Sequence, residues 1–197
     1  MLFLYKFTQK EVLAAHTINR NYDSFTYNLA HYMEGEGVAV DIVLNDAFDC
    51  ADLERYDKVV LSPGPGLPLD AGVLMDVVAA CVGVRPVLGV CLGMQAIALH
   101  LGGSLYNQDV VKHGVAEFIE LDSSSLFLGM SSPTQVGLYH SWAVESTGDF
   151  NVTARSKSGI VMALENTSKK LFGVQFHPES ILTDDGRAVV RNFLAIQ

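Results

Sequence analysis

Apolar residues along this 197-residue chain fall into short blocks that alternate between strand-like runs and helical stripes. Phe25, Leu29, Tyr32 and Met33 recur at helical spacing behind the capping side chains of Asn21-Tyr22-Asp23-Ser24, and Gly35 and Gly37 end that helix. Val38 to Leu44 reads as a strand, as does Lys58 to Ser62, which stops abruptly at Pro63-Gly64-Pro65-Gly66. Residues 70–82 follow a helical pattern. Pro86 to Val90 is a short apolar strand running through Cys91 straight into an apolar helix that reaches about Gly102. An earlier strand is expected within 11–19, around Val12-Leu13-Ala14-Ala15, its end blurred by His16, Thr17, Asn19 and Arg20.

Strands alternating with helices, the strands short and apolar throughout, predict a parallel sheet with right-handed crossovers. After Gly103 the texture changes. Segments at 115–121, 135–139, 150–155 and 160–165 look like shorter strands separated by polar turns, with no long helix between them. Leu171 to Phe176 is a further strand, and the chain closes on a helix from Asp184 to about Ile196 carrying Val189, Val190, Phe193 and Leu194. No internal repeat, linker or low-complexity segment interrupts this order. The expectation is one α/β domain built on an open, mostly parallel sheet flanked by helices.

Composition narrows the class without identifying it. A chain 49% apolar and 18% charged is too hydrophobic for disorder, and its net charge of −9 argues against nucleic acid or an anionic membrane as the main partner. Cys50, Cys81 and Cys91 are odd in number and scattered, so they form no disulfide framework and point to a reducing compartment. Their spacings match no zinc site. The apolar start Met1 to Phe7 is too short for the centre of a signal peptide, and no stretch approaches the ~20 apolar residues of a membrane span. The expected location is the cytoplasm.

The chemistry centres on Gly89-Val90-Cys91-Leu92-Gly93. A nucleophile at the apex of a sharp strand-to-helix turn stands exposed in a strained position, and glycines two residues before and after let strand and helix approach closely. The helix amides beyond the apex favour a thiolate there; a buried structural cysteine would fit the same five residues. His177-Pro178-Glu179 follows directly on a strand, and the proline holds His177 extended. A cysteine nucleophile needs such a base, and the base needs a third group to hold its tautomer, a position Glu179 could take. Ser62 to Gly66 also lies just past a strand, where backbone amides could face a developing oxyanion, although a plain Pro-Gly turn reads the same way. It lacks the Lys-Ser/Thr ending of a phosphate-binding loop. Tyr139-His140-Ser141-Trp142 adds polar groups and the single tryptophan. In an open parallel sheet, loops that follow strands gather at one carboxyl edge.

Taken together, five stretches resemble the class I, triad-type glutamine amidotransferases. Within them the chain is similar to the small subunit of anthranilate synthase or of aminodeoxychorismate (para-aminobenzoate) synthase. The stretches are Asn21-Tyr22-Asp23-Ser24-Phe25-Thr26-Tyr27-Asn28, Leu61 to Gly66, Gly89 to Gln95, His140-Ser141 and Gly173-Val174-Gln175-Phe176-His177-Pro178-Glu179-Ser180. The resemblance implies a single amidotransferase domain over 1–197, with residues 1–10 an atypical N-terminal extension. It implies that Cys91 attacks the side-chain amide of L-glutamine, with His177 as base and Glu179 orienting it. The backbone amides of Gly64 and Leu92 would hold the carbonyl oxygen, and Gly64, Pro65, Gly66, Gln95, Ser141 and Trp142 would bind glutamine. Ammonia would pass to a separate chorismate-binding synthase subunit, which the helix after Asn21 and the loop holding Lys112-His113-Gly114 would face. No metal or organic cofactor is implied for this chain, and magnesium belongs to the partner's chemistry.

Three positions depart from that family's pattern. Ile18-Asn19-Arg20-Asn21 replaces an aliphatic-aliphatic-Asp-Asn ending of the first strand, Val115 stands where a lysine is common after His113-Gly114, and Trp142 replaces a frequent leucine. A Cys-His hydrolase acting alone, and a catalytically silent regulatory subunit, are the alternative readings. The intact set of Cys91, His177 and Glu179 speaks against the second.

Overall fold

The structure, a computed structural model, describes residues 2–6, 26–46, 48–145 and 147–197, with 2–6 described as backbone only. The expected strand around Val12 to Ala15, Asn19-Arg20 and the capping residues Asn21 to Ser24 all lie outside the described residues.

In chain order the elements are β1 (Leu2–Lys6), α1 (Thr26–Gly35), β2 (Ala39–Val43), β3 (Lys58–Leu61), α2 (Leu74–Cys81), β4 (Val87–Val90), α3 (Leu92–His100), β5 (Leu105–Leu121), β6 (Thr134–Val144), β7 (Asn151–Ser156), β8 (Val161–Asn166), β9 (Leu171–Val174) and α4 (Gly186–Ala195). The nine strands form one sheet in the order β2-β1-β3-β4-β9-β8-β7-β5-β6. β3, β4 and β9 are parallel neighbours, with Val59 opposite Val87 and Val87 opposite Leu171. All their residues are buried, as strands covered on both faces must be.

Alternation along these central strands sends successive side chains to opposite faces. Val60, Leu88 and Phe172 pack with Leu29 and Met33 of α1 and Val189, Val190 and Phe193 of α4. Val59, Leu61, Val87 and Leu171 pack on the other face with Val77, Val78 and Cys81 of α2 and Met94, Ile97 and Ala98 of α3. The result is three layers, helix, sheet and helix.

The expected open sheet flanked by helices is present, but among the described residues its parallel ladders are confined to β3, β4 and β9. Every other pairing is antiparallel. Parallel neighbours need long crossovers, and here α2 and α3 provide the connections near the centre. The links from β7 to β8 and from β8 to β9 are short turns that permit only antiparallel return.

Two elements differ from expectation. Leu2–Lys6, read as part of an extension, is a strand lying antiparallel between β2 and β3. Lys112 and His113, expected in a loop, belong to β5, which pairs with β6 along nearly its whole length; the register breaks on either side of these two residues. Among the described residues no helix is long and apolar enough to cross a membrane.

Candidate functional site

β4 ends at Val90, and Cys91 caps α3 with φ 51° and ψ −103°, a conformation that holds a non-glycine residue at a cost of about 1–3 kcal/mol. The surrounding backbone enforces it. Cys91 N donates to Val174 O of β9 at 2.8 Å, and Cys91 O accepts the first helical bond from Gln95 N at 3.1 Å. The flanking glycines are required by contact. A Cβ on Gly89 would lie 2.3 Å from the carbonyl carbon of Gly93, and one on Gly93 would lie 2.3 Å from Leu61 O. Strand, turn and helix therefore pass closer together than any side chain allows.

His177 follows β9, the next strand in the sheet, and its backbone N donates to Gly137 O of β6 at 3.0 Å. Thr183 Oγ1 donates to His177 O at 2.6 Å, and Gly137 N donates to Thr183 Oγ1 at 2.9 Å, so the segment after β9 is knitted to β6. The imidazole Nδ1–H donates to Glu179 Oε1 at 2.8 Å, in a pair almost wholly withdrawn from solvent. Cys91 is the other side chain hydrogen-bonded to His177. Burial works against a charged imidazole, but the bonds and charges of Cys91 and Glu179 outweigh it and raise the His177 pKa to about 10. The neighbouring His140 is shifted the opposite way, burial pushing it below the ordinary histidine value. Two adjacent histidines thus differ in charge, with the imidazolium beside Cys91.

The remaining residues singled out in the sequence fall around this centre. Gly64 lies just past β3, and a Cβ on it would come within 2.8 Å of Leu92 Cδ2, so Gly64 and Leu92 are neighbours. Pro65 and Gly66 are exposed at the same edge. Ser141 and Trp142 are half-buried in β6. Gln95 is buried on α3, and its Nε2 donates to Trp142 O at 3.1 Å and to Gln175 Oε1 at 3.2 Å. Among the described residues no group of three or more His, Cys, Asp or Glu side chains is placed to hold a metal ion.

Two residues beside the centre carry no role in the sequence reading. Gln175, fully buried, donates from Nε2 to Cys91 Sγ at 3.5 Å. The ring of Tyr139 stands edge-on to that of His177, with centroids 4.8 Å apart, and its hydroxyl lies 3.1 Å from Ser180 Oγ. Both occur in stretches quoted above. What marks them is contact across the fold, which spacing along the chain does not carry.

The family model described as glutamine amidotransferase class-I matches residues 17–196. The chain is 41% identical over 179 residues to aminodeoxychorismate synthase component 2 of Escherichia coli, covering 88% of this chain and 96% of that protein. It is 43% identical over 180 residues to anthranilate synthase component II of Haloarcula marismortui, covering 88% and 93%. Other matched relatives are much longer, and the chain spans 31% of one and 25% of another. Among solved structures, a Thermoplasma acidophilum protein described as a GMP synthase subunit superposes with a TM-score of 0.77 at 28% identity, covering 90% of each chain.

Proposed function

The chain belongs to the class-I glutamine amidotransferase family, and from that premise we propose that it hydrolyses L-glutamine and delivers the ammonia to a chorismate-using synthase subunit. The observation that carries the reading is the buried His177, hydrogen-bonded to Glu179 on one side and to Cys91 on the other, at the end of a strained nucleophile turn.

In this reading the Cys91 thiolate attacks the side-chain amide carbon of glutamine. The carbonyl electrons move to oxygen, which the Gly64 and Leu92 amides stabilise. Collapse breaks the C–N bond, and ammonia leaves with a proton from His177. A glutamyl thioester remains on Cys91. Water, deprotonated by His177, then releases glutamate. Pro65, Gly66, Ser141 and Trp142 line the same edge and would hold the substrate's backbone end; Gln95, whose Nε2 is bonded to Trp142 O and Gln175 Oε1, would join them through its Oε1. None of these steps calls for a metal or organic cofactor in this chain.

Relatives carrying both synthase names support a chorismate-using partner and leave anthranilate and aminodeoxychorismate synthesis as two versions of it. β5 supports a docking role, because Val110, Val111, Val115 and Phe118 are exposed along it. The test is glutamine hydrolysis by the chain mixed in turn with each type of synthase subunit, with glutamate release followed in each mixture. Hydrolysis that rises with one of the two and vanishes in Cys91→Ser is the expected result. Turnover persisting in Cys91→Ser would sink the triad, and equal turnover with and without either subunit would sink the partnership.

A further inference from the structure

Gln175 and Gln95 are 80 residues apart in sequence, and both are buried. A buried primary amide is retained where its groups are bonded, and here the bonds run in one direction. Gln95 Nε2 donates to Trp142 O and to Gln175 Oε1. With its oxygen so engaged, the Gln175 amide must present its nitrogen to the other side, and that nitrogen donates to Cys91 Sγ at 3.5 Å. The opposite orientation would set an oxygen lone pair against a sulfur that carries negative charge during the reaction.

Resting on the hydrolytic reading above, we infer that Gln175 is a positioning residue for the Cys91 sulfur and that Gln95 locks its amide in the donating orientation. A neutral amide cannot act as base. It is a fixed N–H dipole that strengthens as charge appears on the atom it faces. Charge appears on sulfur in the second half of the reaction. Water adds to the thioester carbon and gives one proton to His177, and the tetrahedral adduct then breaks its C–S bond. The electron pair returns to Sγ, and the second water proton is lost to solvent as the new carboxyl ionises. Gln175 stabilises the departing thiolate at that step. In the first half the same bond both holds the sulfur in place and lowers the nucleophilicity of the thiolate, so the two effects oppose each other.

The test uses the chain with the synthase subunit that supports its turnover. Gln175→Met keeps the side-chain length and removes the donor. Loss of a hydrogen bond to a charged group is expected to lower kcat by roughly 10- to 100-fold. KM for glutamine falls with it, because deacylation becomes limiting, and kcat/KM stays within a few-fold. Acid-quenched intact mass spectrometry then finds glutamyl thioester accumulating in the variant and not in the wild type. Gln175→Leu, which also lacks the donor, is expected to change kcat and KM in the same direction and decides the matter if Gln175→Met does not melt cooperatively. Unchanged kcat and KM, or a fall in kcat/KM with no thioester accumulating, overturns the assignment while wild-type turnover stands. A wild type that never forms a glutamyl adduct at Cys91 overturns the hydrolytic reading and this inference with it.

Discussion

Around Cys91 single atoms decide the outcome. Gly93 touches Leu61 O so closely that Gly93→Ala forces backbone apart, because the atoms in the way are main chain and cannot swing aside. The expected loss is about 1–3 kcal/mol or more in a urea titration, with slower alkylation of Cys91. Gly35→Ala is the control: a Cβ there meets nothing within 4 Å, so the helix-propensity gain of about 0.5–1 kcal/mol should appear instead. His177 adds a pH signature. Its folded pKa, about 10, lies above its ordinary 6.5, so the stability that its charge contributes is complete below 6.5 and is lost as pH rises through 10. The melting-temperature gap between wild type and His177→Gln should therefore be widest near pH 6 and narrow steadily toward pH 10. A gap of constant width would mean that His177 is neutral in the fold. The glycine pair and the His-Glu pair were legible in the sequence because their chemistry is local. Gln175 was not, since its partner is 80 residues away.

Elements were legible where burial imposes a period. α2 shows Leu74, Val77, Val78 and Cys81 buried on one stripe, and β3, β4 and β9 are apolar runs with water excluded from both faces. β5 fails that test. Most of its first ten residues are exposed, Asn107, Gln108 and Asp109 interrupt any alternation, and its pairing comes from β6 some thirty residues later, so only the stretch from 115 was read as strand. Lys58 illustrates a second kind of invisible contact. At the start of β3 its Nζ donates to Phe193 O at 3.1 Å and also to Leu194 O and Ile196 O, adding a charged donor to the carbonyls at the end of α4. Lys58→Met should cost roughly 1–3 kcal/mol. Burial, opposed by Asp57, lowers the Lys58 pKa from 10.5 to about 8. The unfolded chain then binds more protons between those values, so this residue's contribution to stability grows with pH across that window, opposite in sign to that of His177. Urea midpoints of wild type and Lys58→Met, compared at pH 7.5 and 10, should diverge.

At the scale of the molecule, the site exists because β3, β4 and β9 are adjacent and parallel. Their carboxyl ends bring Gly64, Cys91 and His177 to one edge, although the three are far apart in sequence. That convergence followed from the strand-helix alternation. The antiparallel half did not, and it supplies the other wall, since β6 bonds to the segment carrying His177 and β5 covers β6. A line of ring contacts crosses that wall. Exposed His113 on β5 stands edge-on to Tyr139 at 5.5 Å, and Tyr139 stands edge-on to His177 at 4.8 Å. A partner seated on the apolar side chains of β5 would press on the outer end of this line. The decisive comparison separates docking from response. Phe118→Asp places a charge on the exposed apolar strip and should weaken synthase binding at least tenfold in sedimentation experiments, leaving the chain's own melting temperature unchanged. His113→Ala should bind the synthase normally, retain the unstimulated rate, and lose most of the stimulation that binding brings. Full stimulation in His113→Ala would show that the partner acts on the site by another route.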